Sequence, residues 1–343
     1  MDFFEHQERA RKTSRRLVLL FFLGTLFIIG FVYLALSAYV YFHGGSENVL
    51  AMFELYWVEF LFLGGFILLV ILGATLFQVS RLSKGGEAVA GILKAKPVSQ
   101  NTDDPEEKKA LNVLHEMSIS SNMGTVPKLY LLENEPSINA FAAGWREDDA
   151  VVGLTRGAIK HLNRDELQAV VGHEVSHIKN GDMFLNIKMM GILFGLLVLT
   201  YLGGFILRNA MFGYMLGGRR SRGDPRAIIF ILIIGLSIFL AGIVGMIYGN
   251  IVKAAVSRQR EYLADASSVQ FTRMPEAMSG ALRKIKEMSQ TENKNHLNNP
   301  NAEQASHLFF TEAVSKLESL FATHPPIEKR IERIEQGMPA TQS

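Results

Sequence analysis

Two histidines and one glutamate in the stretch LNRDELQAVVGHEVSHIKNGD form the pattern H-E-x-x-H, which could hold and use a metal ion. His173 and His177 are four residues apart, so on a helix they lie one above the other and can offer ring nitrogens to the same metal. Glu174 is rotated by about 100° from His173, which places its carboxylate beside such a metal. From there it can take a proton from a metal-activated water. The pattern therefore predicts half of a catalytic zinc site, which needs a third protein ligand and an open fourth position.

The pattern must lie on a helix to act in this way, and the flanking residues predict one. Asn163 is a suitable N-cap, Asp165 and Glu166 place carboxylates in the first turn, and Gly181 suits the position just beyond the C-terminus. The alternative is an ordinary amphipathic helix in which the histidines are structural. A helical apolar face is present in either case, formed by Leu167, Val170, Val171, Val175 and Ile178.

The third ligand must be histidine or a carboxylate, because the chain contains no cysteine. A metzincin arrangement is excluded, since it needs a third histidine where Met183 stands. The next polar cluster, VSRQREYLADASS at 256–268, offers Glu261 and Asp265 one helical turn apart. Glu261 can complete a two-histidine, one-glutamate site, and Asp265 can accept a hydrogen bond from the outward nitrogen of a ligand histidine. The alternative for this cluster is a solvated charged helix face.

The apolar residues are concentrated in four long segments at 17–42, 58–79, 189–207 and 227–249. Each is near or above the roughly 20 residues that cross a bilayer as a helix, so the 343-residue chain, 48% hydrophobic, is expected to cross the membrane four times. The first segment is too long for the apolar part of a signal peptide and is expected to be a retained anchor. A net charge of +2 argues against a dedicated nucleic-acid binder, so no nucleic-acid partner is expected.

The distribution of basic residues predicts the orientation of the segments. The loop at 43–57 has no lysine or arginine, whereas the tail before the first segment has five, so both termini and the polar domain are expected in the cytoplasm. The loop at 208–226 disagrees, because it carries five arginines and would lie outside if segments three and four both span. A spanning hairpin is favoured over a partly inserted one, and either returns the chain to the side that it left. The basic residues of the tail are Arg9, Arg11, Lys12, Arg15 and Arg16.

These features divide the chain into four parts. Residues 1–80 hold the N-terminal tail and a transmembrane hairpin, 81–186 a polar part with the H-E-x-x-H helix, 187–250 a second hairpin, and 251–343 a polar part with the third ligand. Short strands are expected at 127–133, 138–145 and 149–155, as a small antiparallel sheet beside the H-E-x-x-H helix. The expected fold is a mainly α membrane protein with an α+β domain.

Three motifs in the same order, HEVSHIKNGD, SRQREYLAD and LFATHPPIEKRIERI, resemble those of HtpX-type membrane zinc peptidases. The resemblance runs from about residue 81 to 337 and also connects the chain to CAAX prenyl endopeptidases and other gluzincins. It implies a gluzincin-like α+β peptidase domain with one zinc ion per chain. His173, His177 and Glu261 would be the zinc ligands, Glu174 the general base and later the general acid, and Asp265 the hydrogen-bond partner of a ligand.

The resemblance also implies roles for residues outside the zinc site. In the related prenyl endopeptidases, the His and Arg of H-P-P-x-x-x-R approach the substrate carbonyl, and these positions are His324 and Arg330 here. The alternative for this motif is a helix start with proline in its first turn and Arg330 on a solvated face. The segment INAFAAG would be an edge strand, on which Asn139, Ala140 and Phe141 could hold an extended peptide by main-chain hydrogen bonds.

The implied activity is a zinc metalloendopeptidase embedded in the lipid bilayer of the bacterial cytoplasmic (inner) membrane. It would cleave membrane or misfolded proteins at the cytoplasmic face, in membrane protein quality control. The alternatives are a catalytically silent membrane chaperone or scaffold and a prenyl-protein endopeptidase. A transporter is disfavoured, because Glu59, near one end of its segment, is the only charged residue in the expected spans.

Overall fold

The structure, a computed structural model, describes residues 49–82, 85–216, 225–291 and 324–336, together with the isolated positions 8, 12, 15, 16, 19, 23, 24 and 30. The chain forms two compact units. One takes Leu82–Ile187 and Lys253–Ser343 with the N-terminal Met1–Leu17, and the other takes Val18–Arg81 and Lys188–Val252.

Along the chain, the described strands all lie between residues 96 and 155, and the three longest described helices come before or after them. The helices are α1 (Val49–Leu82), α2 (Gly86–Ile92), α3 (Pro105–Ser120), α4 (Arg156–His161), α5 (Arg164–Lys179), α6 (Asp182–Leu216), α7 (Pro225–Thr272), α8 (Pro275–Thr291) and α9 (Ile327–Gln336). The strands are β1 (Lys96–Pro97), β2 (Lys128–Leu132), β3 (Ala140–Ala143) and β4 (Val151–Thr155).

Three of the described helices are long and apolar enough to cross a bilayer. The qualifying stretches are Gly64–Arg81 of α1, Asp182–Tyr214 of α6 and Ile228–Thr272 of α7. They contain or overlap three of the four segments expected from the sequence. The remaining expected segment, 17–42, falls almost entirely outside the described residues, so the structure does not confirm a count of four.

The second unit is held together by apolar contacts between these long helices. Its buried cluster draws isoleucine, leucine and alanine side chains from all three helices, and large apolar side chains point away from the cluster. Among the exposed ones, Phe62 and Tyr201 are 75% and 70% accessible, a degree of apolar exposure that suits contact with lipid. The buried members are Ile67, Ile71, Leu196, Leu199, Ile238 and Ala241.

The sheet of the first unit is mixed, in the order β1-β2-β4-β3, and not antiparallel throughout as expected. Strands β3 and β4 do form an antiparallel hairpin, with Phe141 opposite Gly153. The hairpin docks with β4 beside β2, and these two strands run parallel, with Tyr130 opposite Gly153. The amino-acid composition explains why β4 and not β3 pairs with β2. The β-branched Val151 and Val152 suit a central strand, whereas β3 consists largely of alanine.

Strand β3 therefore lies at the edge of the described sheet, with helix α5 packed against it. Side chains of β3 alternate between the two faces of the sheet. Ala140 and Ala142 enter the main core with α3 and α5, and Phe141 and Ala143 enter a smaller cluster with α2. The main-chain edge of β3 is thus placed beside the H-E-x-x-H helix.

Helices α5 and α7 approach closely, and this approach brings the two halves of the predicted metal site together. Gly172 of α5 lies at the contact, where an added Cβ would be 3.1 Å from the Ser268 hydroxyl of α7 and 3.3 Å from the Met117 sulfur. Ser268 also donates a hydrogen bond to the Ala169 carbonyl at 2.5 Å. Glycine at position 172 therefore permits a helix spacing that a larger residue would widen.

Helices α8 and α9 close the first unit from the C-terminal side. Lys284 of α8 pairs with Glu166 of α5 at 2.6 Å. On α9, Ile334 enters the main core and the Arg333 guanidinium lies 3.8 Å from the ring centre of Tyr262 of α7. These contacts fix the segment that begins at His324.

Candidate active site

Helix α5 presents its two histidines from a well-defined start and a well-defined end. Asn163 and Glu166 form a capping box, in which each side chain accepts a hydrogen bond from the main chain of the other at 2.9 Å. The helix ends before Gly181, which has a φ of +66°. The N-cap and the glycine stop expected from the sequence are both confirmed.

The structure brings His173, His177 and Glu261 together, with one ligand atom from each within 4.8 Å of the others. Nε2 of His173 lies 3.0 Å from Nε2 of His177. The two Glu261 oxygens lie 3.3 Å from Nε2 of His177 and 3.5 Å from Nε2 of His173. Four ligands placed tetrahedrally about 2.0–2.1 Å from a zinc ion are separated by about 3.3–3.4 Å from one another. The three side chains therefore already have nearly the spacing of three zinc ligands.

The hydrogen bonds of the two imidazole rings leave Nε2 of each ring facing the site. Nδ1 of His173 lies 2.9 Å from Asp265, and Nδ1 of His177 lies 2.7 Å from Asp182. Carboxylates only accept hydrogen bonds, so both Nδ1 atoms are assigned as protonated, and in the neutral rings both Nε2 atoms carry lone pairs. Two lone pairs that face each other at 3.0 Å favour a cation between them.

Unsatisfied polar atoms also fit a bound cation. Oε2 of Glu261 and both ring nitrogens of His324 are buried without a well-aligned hydrogen bond to a described residue, although Nδ1 of His324 lies 2.9 Å from Oε2 of Glu261. Buried polar atoms normally make such bonds, so these atoms favour a ligand at this point. Burial lowers the pKa of His177, but its hydrogen bonds to Asp182 and Glu261 outweigh burial and hold that pKa well above 6.5, so a proton competes with a cation for Nε2 of this ring. The spacing of the three side chains and the carboxylate contacts of both Nδ1 atoms fit a divalent metal that displaces this proton.

Glu174 is buried beside the predicted ligands, with 2% of its surface exposed. Burial raises the pKa of its carboxyl group above 4.5. The positive charge available on His173 and His177 acts in the opposite direction, and the charge of Glu261 raises the pKa further. A carboxyl group with a raised pKa next to a metal site is suited to exchanging a proton with a reacting molecule.

His324 and Arg330 both lie at the site, but they make different contacts. Nδ1 of His324 is 2.9 Å from Oε2 of Glu261 in an ion-pair contact that lacks hydrogen-bond alignment. Arg330 is 1% exposed, and its Nε and one terminal nitrogen bind Asp265 at 2.9 and 2.7 Å. The other terminal nitrogen lies 3.6 Å from Glu261. Arg330 is therefore not on a solvated face, and its expected contact with a substrate carbonyl stays a prediction.

Asp182 was not expected from the sequence, although it is hydrogen-bonded to His177. It is the first residue of α6 and follows Gly181, whose positive φ turns the chain back beside the last turn of α5. The signal in the sequence is the pair Gly-Asp, four and five residues after the second histidine. Arg260, next to Glu261, forms an ion pair with Asp182 at 3.1 Å.

The strand residues expected to contact substrate lie on or next to β3, and their side chains are buried. Asn139, Ala140 and Phe141 are 6%, 0% and 0% exposed. The Asn139 side chain accepts a hydrogen bond from the Ala140 main chain at 2.9 Å. Only the main-chain edge of this strand is thus placed to meet a peptide, and its role in binding stays a prediction.

Comparison with known proteins identifies the family. The chain matches Peptidase family M48 over residues 105–337. It is 35% identical over 267 residues to a Protease HtpX homolog of Streptococcus equi subsp. equi, covering 77% of this chain and 84% of that protein. It is 38% identical over 234 residues to a Protease HtpX homolog of Caldanaerobacter subterraneus subsp. tengcongensis, covering 67% and 73% of the two chains.

A solved structure is also similar, the crystal structure of S. mikatae Ste24p, with a TM-score of 0.43 and 15% sequence identity over 93% of this chain and 66% of that chain. The family match and the sequence relatives confirm the resemblance that the three motifs indicate. The chain belongs to Peptidase family M48 and, with its long apolar helices, is an integral membrane metallopeptidase.

Proposed function

We propose that the chain is a zinc-dependent endopeptidase that cleaves membrane proteins and misfolded proteins at the cytoplasmic face of the bacterial cytoplasmic membrane. One observation carries this proposal. His173, His177 and Glu261 converge within 4.8 Å, and the carboxyl group of Glu174 is buried next to them. Two imidazoles, one carboxylate and an adjacent second carboxylate are the complete protein part of a hydrolytic zinc site.

The three converging side chains would hold one zinc ion per chain. Bound there, zinc would supply a Lewis acid that lowers the pKa of a water molecule towards about 7. His177 is partly exposed, with 16% of its side chain accessible, whereas His173 is fully buried. The His177 side of the site is therefore the side from which water and substrate can enter.

Glu174 would act as the general base and then as the general acid. Its carboxylate accepts a proton from the attacking water and later delivers that proton to the leaving amine of the cleaved peptide bond. Burial suits both steps, because it raises the pKa of Glu174 and so brings that pKa closer to the pH at which the enzyme works.

His324 would donate a hydrogen bond to the oxygen that develops negative charge on the scissile carbonyl. Support comes from its place at the site, where Nδ1 lies 2.9 Å from Oε2 of Glu261 and Nε2 is buried without a hydrogen-bond partner among the described residues. Arg330 binds Asp265 through two nitrogens, and Asp265 in turn meets Nδ1 of His173. Arg330 and Asp265 would therefore act on the reaction through the orientation of His173.

The edge of β3 would hold the substrate as an added strand. Pairing through the main chain requires an extended peptide and reads little of its sequence. Folded proteins do not offer such segments, whereas loops and misfolded regions do. A protease with this binding mode is therefore selective for exposed, extended chain rather than for particular side chains.

The cytoplasmic placement is supported by the basic tail before the first apolar segment and by the absence of lysine and arginine from 43–57. The chain lacks cysteine, so a single introduced thiol reports its own location. We expect the exposed Gln336, changed to cysteine, to react with a membrane-impermeant maleimide only after spheroplasts are lysed. Labelling of intact spheroplasts would place this helix, and the site that it closes, outside.

The activity is tested by cleavage of casein and of a membrane protein with an unfolded cytosolic loop. The full-length protein is purified in detergent in the presence of a chelator, which limits self-cleavage, and zinc is added only for the assay. We expect zinc-dependent cleavage by the parental protein and none by Glu174→Gln, with equal zinc content in both. Glu276→Gln is the matched control, because Glu276 is an exposed glutamate at the start of α8. Cleavage by Glu174→Gln at the parental rate would remove Glu174 from the mechanism.

A further inference from the structure

Asp182 occupies a position next to the metal site that the H-E-x-x-H pattern does not include. Its Oδ2 atom lies 2.7 Å from Nδ1 of His177, and its Oδ1 atom lies 3.1 Å from Nε of Arg260. The contact with Arg260 is an ion pair without hydrogen-bond alignment. Asp182 is 9% exposed. A carboxylate this far from solvent is unfavourable unless charged or polar neighbours compensate it, as His177 and Arg260 do here.

The arrangement around His177 repeats the arrangement around His173. In each case Nδ1 meets a carboxylate and the carboxylate meets an arginine. For His173 the partners are Asp265 and Arg330. For His177 they are Asp182 and Arg260. Each ring is thereby held in one tautomer and one orientation, with Nε2 towards the other ring.

Arg260 adds a second connection, because it is the residue before Glu261. The Asp182–Arg260 pair therefore joins the end of the H-E-x-x-H helix to the turn of α7 that carries the third predicted ligand. Movement of α7 away from α5 would separate the ion pair and the ligand set together.

We propose that Asp182, supported by Arg260, is a positioning residue that fixes His177 as a metal ligand and raises the affinity of the site for zinc. The inference rests on the proposed zinc site. Asp182 acts through His177 and has no contact with the reacting atoms. Carboxylates that hold a ligand histidine typically account for about 10–100-fold in metal affinity.

A purely structural role is the alternative. Asp182 is the first residue of α6, where a carboxylate favours helix formation through the helix dipole. A residue with that role alone would change thermal stability and leave the zinc affinity of the folded protein unchanged. Zinc affinity is therefore the measurement that separates the two roles.

The test uses full-length protein in detergent and a chelator of known zinc affinity as competitor. Asp182→Ala removes the acceptor, Asp182→Asn keeps an acceptor oxygen but removes the charge, and Arg260→Gln removes only the ion pair. Asp165→Asn is the control, because Asp165 is an exposed aspartate in the first turn of α5 as Asp182 is in the first turn of α6. Visible absorption of the Co²⁺-loaded proteins reports the geometry of the site independently of activity.

We expect zinc binding by Asp182→Ala to weaken by about 10–100-fold, with smaller losses for Asp182→Asn and Arg260→Gln and none for Asp165→Asn. The Co²⁺ spectrum of Asp182→Ala should change as well. Equal zinc affinity in the parental protein and both Asp182 variants would overturn the inference, even if their stability falls. If Asp182→Ala does not fold, Asp182→Asn decides the question by the same criterion. A parental protein that binds no zinc would instead contradict the proposed function.

Discussion

His173 and His177 face each other through their Nε2 atoms at 3.0 Å, while the Nδ1 atom of each ring faces a carboxylate. Both rings are consequently held in the tautomer that a metal requires. The rings are also close to perpendicular, with an angle of 83° between them and 4.7 Å between their centres.

Glu261→Gln should greatly weaken zinc binding. The change keeps the size of the side chain but replaces a charged ligand by a neutral amide between two imidazoles. Zinc per chain, measured on the purified protein after dialysis against a weak chelator, should fall from one towards zero. Glu276→Gln, an exposed exchange of the same chemistry, should retain the parental content. Full zinc occupancy in Glu261→Gln would show that another residue completes the site.

His324→Ala should lower kcat and leave KM nearly unchanged. The lost hydrogen bond is made to charge that develops in the transition state, and removal of one such donor typically costs about 10²–10³ in kcat. Steady-state kinetics on a fluorogenic peptide give the two constants, and zinc content is measured in parallel. If KM rises while kcat is kept, His324 binds the substrate in its ground state instead.

Arg330→Met should destabilise the fold, because it leaves Asp265 buried without its charge partner. Breaking a buried ion pair in this way typically costs about 3–5 kcal/mol. Adding Asp265→Asn should restore part of the stability. The decrease in Tm of the double variant should therefore be smaller than the sum of the decreases in the two single variants. Arg283→Met, which breaks the exposed pair with Glu335, is the control and should change Tm little. An unchanged Tm in Arg330→Met would contradict a stabilising role for the ion pair between Arg330 and Asp265.

The acidic limb of kcat/KM should have its midpoint above 4.5. Glu174 must be ionised to accept a proton, and its pKa is raised by burial. Activity is therefore present above that raised pKa and is lost as the pH falls through it. Zinc content is measured at each pH, because protonated histidines release metal. A midpoint at or below 4.5 with zinc retained would show that Glu174 is not the group that limits the rate.

An ester in place of one backbone amide of a peptide substrate should reduce kcat/KM when that amide pairs with β3. One hydrogen bond of this kind is worth about 0.5–1.5 kcal/mol, which corresponds to a loss of about twofold to tenfold. Along an extended strand only alternate residues face the partner strand. The loss should therefore alternate along the substrate, and a uniform response to the ester at every position would contradict pairing with β3.

Much of the site could be predicted from the sequence because it depends on residues that are close together in the chain. The i, i+4 spacing of His173 and His177 and that of Glu261 and Asp265 each place two side chains on one helix face. The N-cap Asn163 and the stop at Gly181 follow from residue type alone. The structure adds the contact between the two helices, which Gly172 permits.

Other features could not be predicted because they depend on distant parts of the chain. The hairpin of β3 and β4 is local, but which of its strands docks on β2 is decided by packing, and β4 therefore runs parallel to β2. The position of Asp182 depends on the turn at Gly181, which lies outside the metal-binding pattern. The contact between Arg330 and Asp265 joins residues 65 positions apart.

Anomalous scattering at the zinc absorption edge, from crystals of zinc-loaded Glu174→Gln protein, tests the central claim most directly. The account predicts one peak per chain, about 2.0–2.2 Å from Nε2 of His173, Nε2 of His177 and a carboxylate oxygen of Glu261. A zinc peak bound by other residues, or none at these three side chains in fully loaded protein, would contradict it.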